Sequence, residues 1–190
     1  MAIVLASQSP RRQELLQRIG VEDFKTLSLD IDESYPEGLS PEDTVRYIAK
    51  KKCDAAAALC APDDLIITAD TMVFLGNDRL GKPRDEEDAL RMLRALSGRG
   101  HTVCTGVSVR RGETSELFAV STRVFFRPMT DDEIRAYIKT GEPMDKAGAY
   151  GVQSRGALFV ERIDGDFFNV MGLPVEQLGL VLARFGVKLL

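Results

Sequence analysis

The chain has 190 residues, 44% of them hydrophobic and 28% charged, enough to bury a sizeable core without staples and too apolar for a disordered segment of any length. A formal net charge of -4 and a pI near 5.2 exclude a general nucleic-acid binder, which needs a dominant basic surface to displace counterions. Three cysteines, Cys53, Cys60 and Cys104, cannot all pair and form no C-x-x-C or Cys/His cluster, so neither a disulfide framework nor a zinc site is expected.

No run approaches membrane-spanning length, and no basic segment precedes the few apolar residues at the start, so no signal peptide is expected. The expectation is a cytoplasmic protein, one domain over residues 1–190, that meets neither membrane nor nucleic acid.

Residues 2–6 (AIVLA) form an apolar run too short for a helix and read as a buried strand. A helix is predicted next, with Ser9 as its cap, Pro10 in the first position, Leu15, Leu16 and Ile19 as an apolar stripe and Gly20 as its stop. Two hydroxyls and two guanidiniums, Ser7, Ser9, Arg11 and Arg12, surround its start, where free N–H groups and the positive end of the dipole favour an anion. Arginine forks match phosphate oxygens, so a phosphorylated ligand suits this end.

Residues 24–29 read as a second strand leading into the acidic turn Asp30-Ile31-Asp32-Glu33. Ser40, Pro41 and Asp43 signal the start of a helix that buries Val45, Ile48, Ala49, Cys53 and Ala56. Its successive Lys50, Lys51 and Lys52 point in three directions, so one of them can face inward. Residues 65–69 (LIITA) are apolar throughout, as in a strand covered on both faces, and residues 72–75 extend it. Asp70 lies inside this run and must be paired or functional, because an unpaired buried carboxylate is costly.

Residues 76–82 fit the phosphate-loop pattern GxxxxGK, but Pro83 stands where a metal-binding hydroxyl belongs. The segment reads instead as a hairpin turn that carries Lys82. Asp85 to Asp88 open a helix with Leu90, Leu93 and Leu96 inside, and Gly98 ends it. His101 is the sole histidine, which disfavours a Ser-His triad. Residues 102–110 and 116–126 form a hairpin; Thr130 and Glu133 make a capping box for a helix through Ile134, Tyr137 and Ile138. Residues 141–153 are an irregular stretch rich in small residues, residues 158–163 a last strand, and Pro174 opens a final helix.

The polar exceptions form one set: Ser7, Ser9, Arg11, Arg12, Glu33, Lys52, Asp70, Thr71, Lys82, Asp145, Lys146 and Gln153. Several fall where a strand gives way to a loop or helix, the edge at which open α/β sheets bind ligands. Cations to hold a polyphosphate and carboxylates to hold a metal or activate water are what phosphoryl chemistry requires.

In this order and spacing, Ser7-Gln8-Ser9-Pro10-Arg11-Arg12, Asp32-Glu33, Lys52, Ala69-Asp70-Thr71, Gly81-Lys82-Pro83-Arg84-Asp85 and residues 145–153 (DKAGAYGVQ) resemble the Maf family of nucleoside triphosphate pyrophosphatases along almost the whole chain. The resemblance implies a single two-lobed α/β domain, a central mixed β-sheet flanked by helices with a deep cleft, similar to inosine triphosphate pyrophosphatases. It implies hydrolysis of a nucleoside triphosphate to the monophosphate and pyrophosphate with a divalent metal cation (Mg, Mn or Co). Asp70 matches the proton acceptor for the attacking water. Ser7, Arg11, Lys52 and Lys82 match positions around the phosphates, and Glu33 with Asp70 those around the metal.

Within the family, positions matched by Arg12, Thr71 and Gln153 select the base. These three types belong to the branch acting on dTTP and UTP, whereas the branch acting on 7-methyl-GTP carries tryptophan, glutamine and glutamate there. A glutamine amide offers a donor and an acceptor to the O4 and N3–H edge of uracil or thymine. The alternatives are a non-catalytic nucleotide-binding regulator of cell division on the same scaffold and an enzyme that removes the γ-phosphate. A homodimer stays open.

Overall fold

The first apolar run pairs as a three-residue strand, β1 (Ile3–Leu5), and the preset φ of Pro10 opens α1 (Pro10–Arg18), which buries Leu15 and Leu16. The computed structural model describes residues 1–190. Strand β2 (Phe24–Thr26) follows, then α2 (Pro41–Ala57), whose cap Ser40 accepts a hydrogen bond from the Asp43 N–H at 3.1 Å. Val45, Ile48, Ala49, Cys53 and Ala56 all lie on the buried face of α2.

Strand β3 (Leu65–Leu75) is buried over nearly all its length, and β4 (Asp78–Leu80) folds back on it through Gly76, whose φ of 61° suits the first position of a two-residue hairpin loop. Helix α3 (Glu86–Leu96), the hairpin of β5 (Gly100–Arg111) and β6 (Thr114–Phe126), and α4 (Asp131–Ile138) come next. Strand β7 (Val160–Asp164), α5 (Phe167–Met171) and α6 (Val175–Arg184) complete the chain.

The result is a central mixed sheet of seven strands flanked by helices, in the order β2-β1-β3-β5-β6-β7, with β4 beside β3. β1 runs parallel to both β2 and β3, in register Ile3 with Phe24 and with Leu65. No helix is long and apolar enough to cross a membrane.

The chain forms two compact units, and the division falls inside β3, β5 and β6. The first unit comprises Met1–Asp70, Thr105–Val120 and Gly172–Leu190. Here α2 lies directly on β5: a Cβ built at Gly106 would stand 2.3 Å from the Val45 carbonyl oxygen, so only glycine admits the helix at this height. Cys53, Ala56, Ala6 and Ile66 pack beside it, with Leu27, Leu29 and Cys60 at the margin.

The second unit, Thr71–Cys104 with Ser121–Met171, is built around an aromatic cluster. His101, Phe126 and Tyr150 meet edge to face at centroid distances of 4.7–5.4 Å, and Tyr137 meets Phe159 at 5.1 Å. The capping box of Thr130 and Glu133 starts α4 as the sequence predicts.

The structure departs from the sequence reading at five places. β2 stops at Thr26 rather than residue 29, because its only neighbour, β1, ends at Leu5 and Leu27 and Leu29 turn into the apolar cluster. Ser9 occupies the cap of α1, but its side chain makes no capping bond. Residues in the 141–159 stretch wind into three short 3-10 helices, Glu142–Asp145, Ala147–Ala149 and Arg155–Phe159, so Leu158 precedes the last strand. α5, five residues long, is too short to show a period. Pro174 caps α6 instead of opening it.

His101 is 2% exposed, its Nε2 lies 2.8 Å from the Tyr150 hydroxyl, and its Nδ1 has no hydrogen-bond partner. Burial disfavours the imidazolium and pushes the pKa from the ordinary 6.5 to about 4. The unfolded chain therefore takes up a proton below about pH 6.5 that the folded chain refuses until about pH 4. Stability is full above that window and falls as the pH drops through it, by roughly 3 kcal/mol. Urea midpoints measured between pH 7 and 4 should fall for the parent chain and fall less steeply for His101→Gln.

Candidate active site

Asp70 sits at the middle of β3, 6% exposed, where an apolar strand holds a carboxylate inside the protein. Its compensation comes from α2: Lys52 Nζ donates to Asp70 Oδ1 at 2.8 Å and pairs with Glu33 Oε1 at 2.9 Å. The lysine triplet divides as its helical spacing requires. Lys50 pairs with Asp54 at 2.5 Å and Lys51 with Asp32 at 3.3 Å, leaving Lys52 to turn inward with 14% of its side chain exposed.

The height of α2 against β3 is set one turn earlier, where the Thr68 hydroxyl donates to the Ala49 carbonyl at 2.7 Å. Ala49 is three residues before Lys52 and Thr68 two before Asp70, so this buried bond shares their helix face and strand face. Asp70 Oδ2 is buried and has no hydrogen-bond partner. One oxygen of the carboxylate is thus neutralised and the other left bare, which is costly in a purely structural residue.

Arg12 approaches the same stretch of β3. Its Nε donates to the Gly172 carbonyl at 2.8 Å, and its Nη1 to the Ala69 carbonyl at 2.9 Å and the Ser7 hydroxyl at 3.2 Å. Ser7 Oγ also accepts the Ser9 N–H at 3.2 Å. Burial pulls the Arg12 pKa below its ordinary value, Asp70 opposes that pull, Arg11 adds to it, and Glu33 opposes it. The guanidinium is therefore tied to the backbone on both sides of the site and is not a solvated cation.

The first unit accordingly brings Ser7, Arg12, Glu33, Lys52 and Asp70 together, with Arg11 beside Arg12 in α1. Thr71, Lys82 and Gln153 belong to the second unit. Thr71 follows Asp70 in β3 and is half-buried, whereas Lys82 and Gln153 are exposed. Lys82 follows β4 in a turn held by the Gly148 N–H donating to the Gly81 carbonyl at 3.1 Å. Asp145 and Lys146 pair with each other at 2.6 Å.

What sequence reasoning missed is the backbone half of the site. The carbonyls of Ala69 and Gly172, which Arg12 bonds, leave no mark in a pattern of residue types. Asp70 and Glu33 are the carboxylates that could hold a cation, and no cluster of three or more His, Cys, Asp or Glu side chains has metal-binding geometry. Two carboxylate ligands, completed by substrate oxygens and water, suit magnesium-like ions, which rarely use an all-protein cage.

A family model described as "Maf-like protein" matches residues 2–185. The chain belongs to the Maf family. Among its relatives, a Bacillus velezensis protein named dTTP/UTP pyrophosphatase is 47% identical over 186 residues, covering 98% of this chain and 97% of its own. A Geobacillus protein of the same name is 48% identical over 184 residues, 97% of this chain and 98% of that one. One from Bacteroides fragilis is 48% identical over 177 residues, 93% and 92%.

The Maf chain also shares its fold with the Staphylococcus aureus Ham1 protein, at a TM-score of 0.55 and 14% identity over 97% of this chain and 100% of that one. A HAM1 protein from Coxiella burnetii gives 0.53 and 14%, over 97% and 99%.

Lysine lacks the planar fork by which Arg12 reaches two carbonyls and a hydroxyl. Arg12→Lys should lower the unfolding free energy by about 1–3 kcal/mol, as expected when buried acceptors lose a charged donor, read from urea denaturation at pH 7.

Proposed function

We propose that this Maf protein hydrolyses UTP and dTTP, and modified pyrimidine nucleotides of the same shape, to the monophosphate and pyrophosphate in the cytoplasm. The observation that carries the reading is the bare, buried Oδ2 of Asp70 beside the Lys52 ammonium, in a chain nearly half identical to proteins named dTTP/UTP pyrophosphatase. A carboxylate with one oxygen held by a cation and the other unpartnered is oriented, desolvated and available to take a proton.

In this reading the triphosphate is held by Ser7, Arg11, Lys52 and Lys82. Asp70 Oδ2 positions a water and receives its proton as the oxygen attacks the α-phosphorus. The bond from that phosphorus to the α–β bridging oxygen breaks, and the electron pair leaves with pyrophosphate. Asp70 and Glu33 would hold the divalent cation (Mg, Mn or Co), a fit supported by their all-oxygen donor set at the ammonium they share. When bound, the cation neutralises phosphate charge in the transition state.

Before substrate arrives, Lys52 pairs with both carboxylates; on binding, its ammonium turns to the phosphates and frees them. Thr71 and Gln153 read the pyrimidine, with the Gln153 amide matching O4 and N3–H. The influence of Arg12 on substrate choice runs through the backbone it holds, since its guanidinium is engaged by Ala69 and Gly172.

The test is to incubate the purified protein with UTP, dTTP, CTP, ATP and GTP in magnesium or manganese and to identify the products. Pyrophosphate with UMP or dTMP is expected. Orthophosphate would point to γ-cleavage, and binding without turnover to a regulator. Asp70→Asn should lower turnover by about 10²–10⁴-fold, the usual worth of a general base, while UTP still binds.

A further inference from the structure

The second unit holds a carboxylate that the mechanism does not use. Glu142 follows the left-handed Gly141 (φ 75°) that ends α4 and is turned back onto that helix. Its Oε1 accepts the Tyr137 hydroxyl at 2.8 Å, the Ser154 hydroxyl at 2.6 Å and the Gly156 N–H at 3.2 Å; its Oε2 accepts the Arg155 N–H at 3.3 Å. The Tyr137 oxygen in turn accepts the Gly151 N–H at 3.1 Å.

These bonds grip the chain on both sides of Gln153. Tyr137 fixes the residue two before it, and Glu142 the three residues after it. The stretch is packed so closely that a Cβ at Gly156 would stand 2.6 Å from the Gly151 carbonyl oxygen and 2.8 Å from the Tyr137 oxygen. Gln153 itself is exposed. Tyr137 is 4% exposed and seated edge-on against Phe159, so the grip is anchored in the core of the unit.

We infer that Glu142, held by Tyr137, is a positioning residue for Gln153 and through it sets the preference for a 4-oxo over a 4-amino pyrimidine. The inference rests on the reading of Gln153 given above. An amide discriminates between these bases only if its donor and acceptor are held in register with the ring edge; a backbone free to shift lets the amide adapt to either. A carboxylate suits this task because it collects several N–H and O–H donors at once and offers none of its own.

The test is steady-state hydrolysis of UTP and CTP by the full chain and by Glu142→Ala, Glu142→Gln, Tyr137→Phe, Gln153→Ala and the double variant Glu142→Ala/Gln153→Ala, with melting temperatures alongside. Glu142→Ala should raise the KM for UTP and reduce the UTP-to-CTP ratio of kcat/KM by about three- to tenfold, the worth of one well-placed hydrogen bond, with kcat within about twofold. Glu142→Gln, which keeps an acceptor oxygen, should retain part of the ratio. The double variant should match Gln153→Ala, because the two act through one contact.

A lowered melting temperature with an unchanged ratio, or additive losses in the double variant, overturns the inference. Should Glu142→Ala not fold, Tyr137→Phe, which keeps the ring on Phe159 and removes only the hydroxyl, is read by the same ratio. If Gln153→Ala shifts the ratio and neither Glu142→Ala nor Tyr137→Phe does, the positioning role fails and the reading of Gln153 stands. If Gln153→Ala leaves the ratio unchanged, both fail.

Discussion

A carboxylate inside a hydrophobic strand has to be met by a cation, and in this chain that requirement fixes the geometry around it. Lys52 Nζ stands 2.8 Å from Asp70, and it can do so only because α2 lies close against the sheet at one height. The Thr68 hydroxyl bonded to the Ala49 carbonyl sets that height, and the missing side chain at Gly106 permits the approach. Glu33, on the loop after β2, pairs with the same ammonium. A salt bridge this deep is a poor source of net stability, since desolvation cancels much of its attraction. It holds one oxygen of Asp70 and leaves the other bare.

The two units handle buried polarity differently. In the first, Lys52 is set against Asp70 and Arg12 against backbone carbonyls at either side. In the second, carboxylates take hydrogen bonds from the chain around them: Glu142 gathers residues 154–156, and Asp88 accepts the backbone N–H of Arg84 while pairing with Arg91. Asp88 itself donates its N–H to the cap residue Asp85 at 2.7 Å. Each device fastens an irregular segment that carries a polar residue, Gln153 in one case and the turn after Lys82 in the other.

Much of this was legible in the sequence, for identifiable reasons. Pro10, Pro41, Ser40 and the Thr130/Glu133 box declare helix starts because caps use local chemistry, and the apolar run of β3 declares a strand covered on both faces. Asp70 stood out because its type contradicts its neighbours, and the division of the lysine triplet follows from helical spacing alone. The failures share a cause as well. The early stop of β2 depends on where β1 ends, α5 is shorter than a readable period, and the 3-10 turns after Gly141 are imposed by bonds to Glu142 and Tyr137. Arg12 was read as a base-selecting residue, and the bonds its guanidinium makes were not legible, because its main acceptors are peptide carbonyls, which every residue carries.

Gly106 belongs to neither the carboxylate's strand nor the ammonium's helix, yet it governs how the two meet. Any side chain there would lift α2 from β5 at Val45, and seven residues further along the helix Lys52 would lose its reach. The hydrogen atom at position 106 is in that sense a spacer, acting from the neighbouring strand on how far the ammonium must reach to meet Asp70.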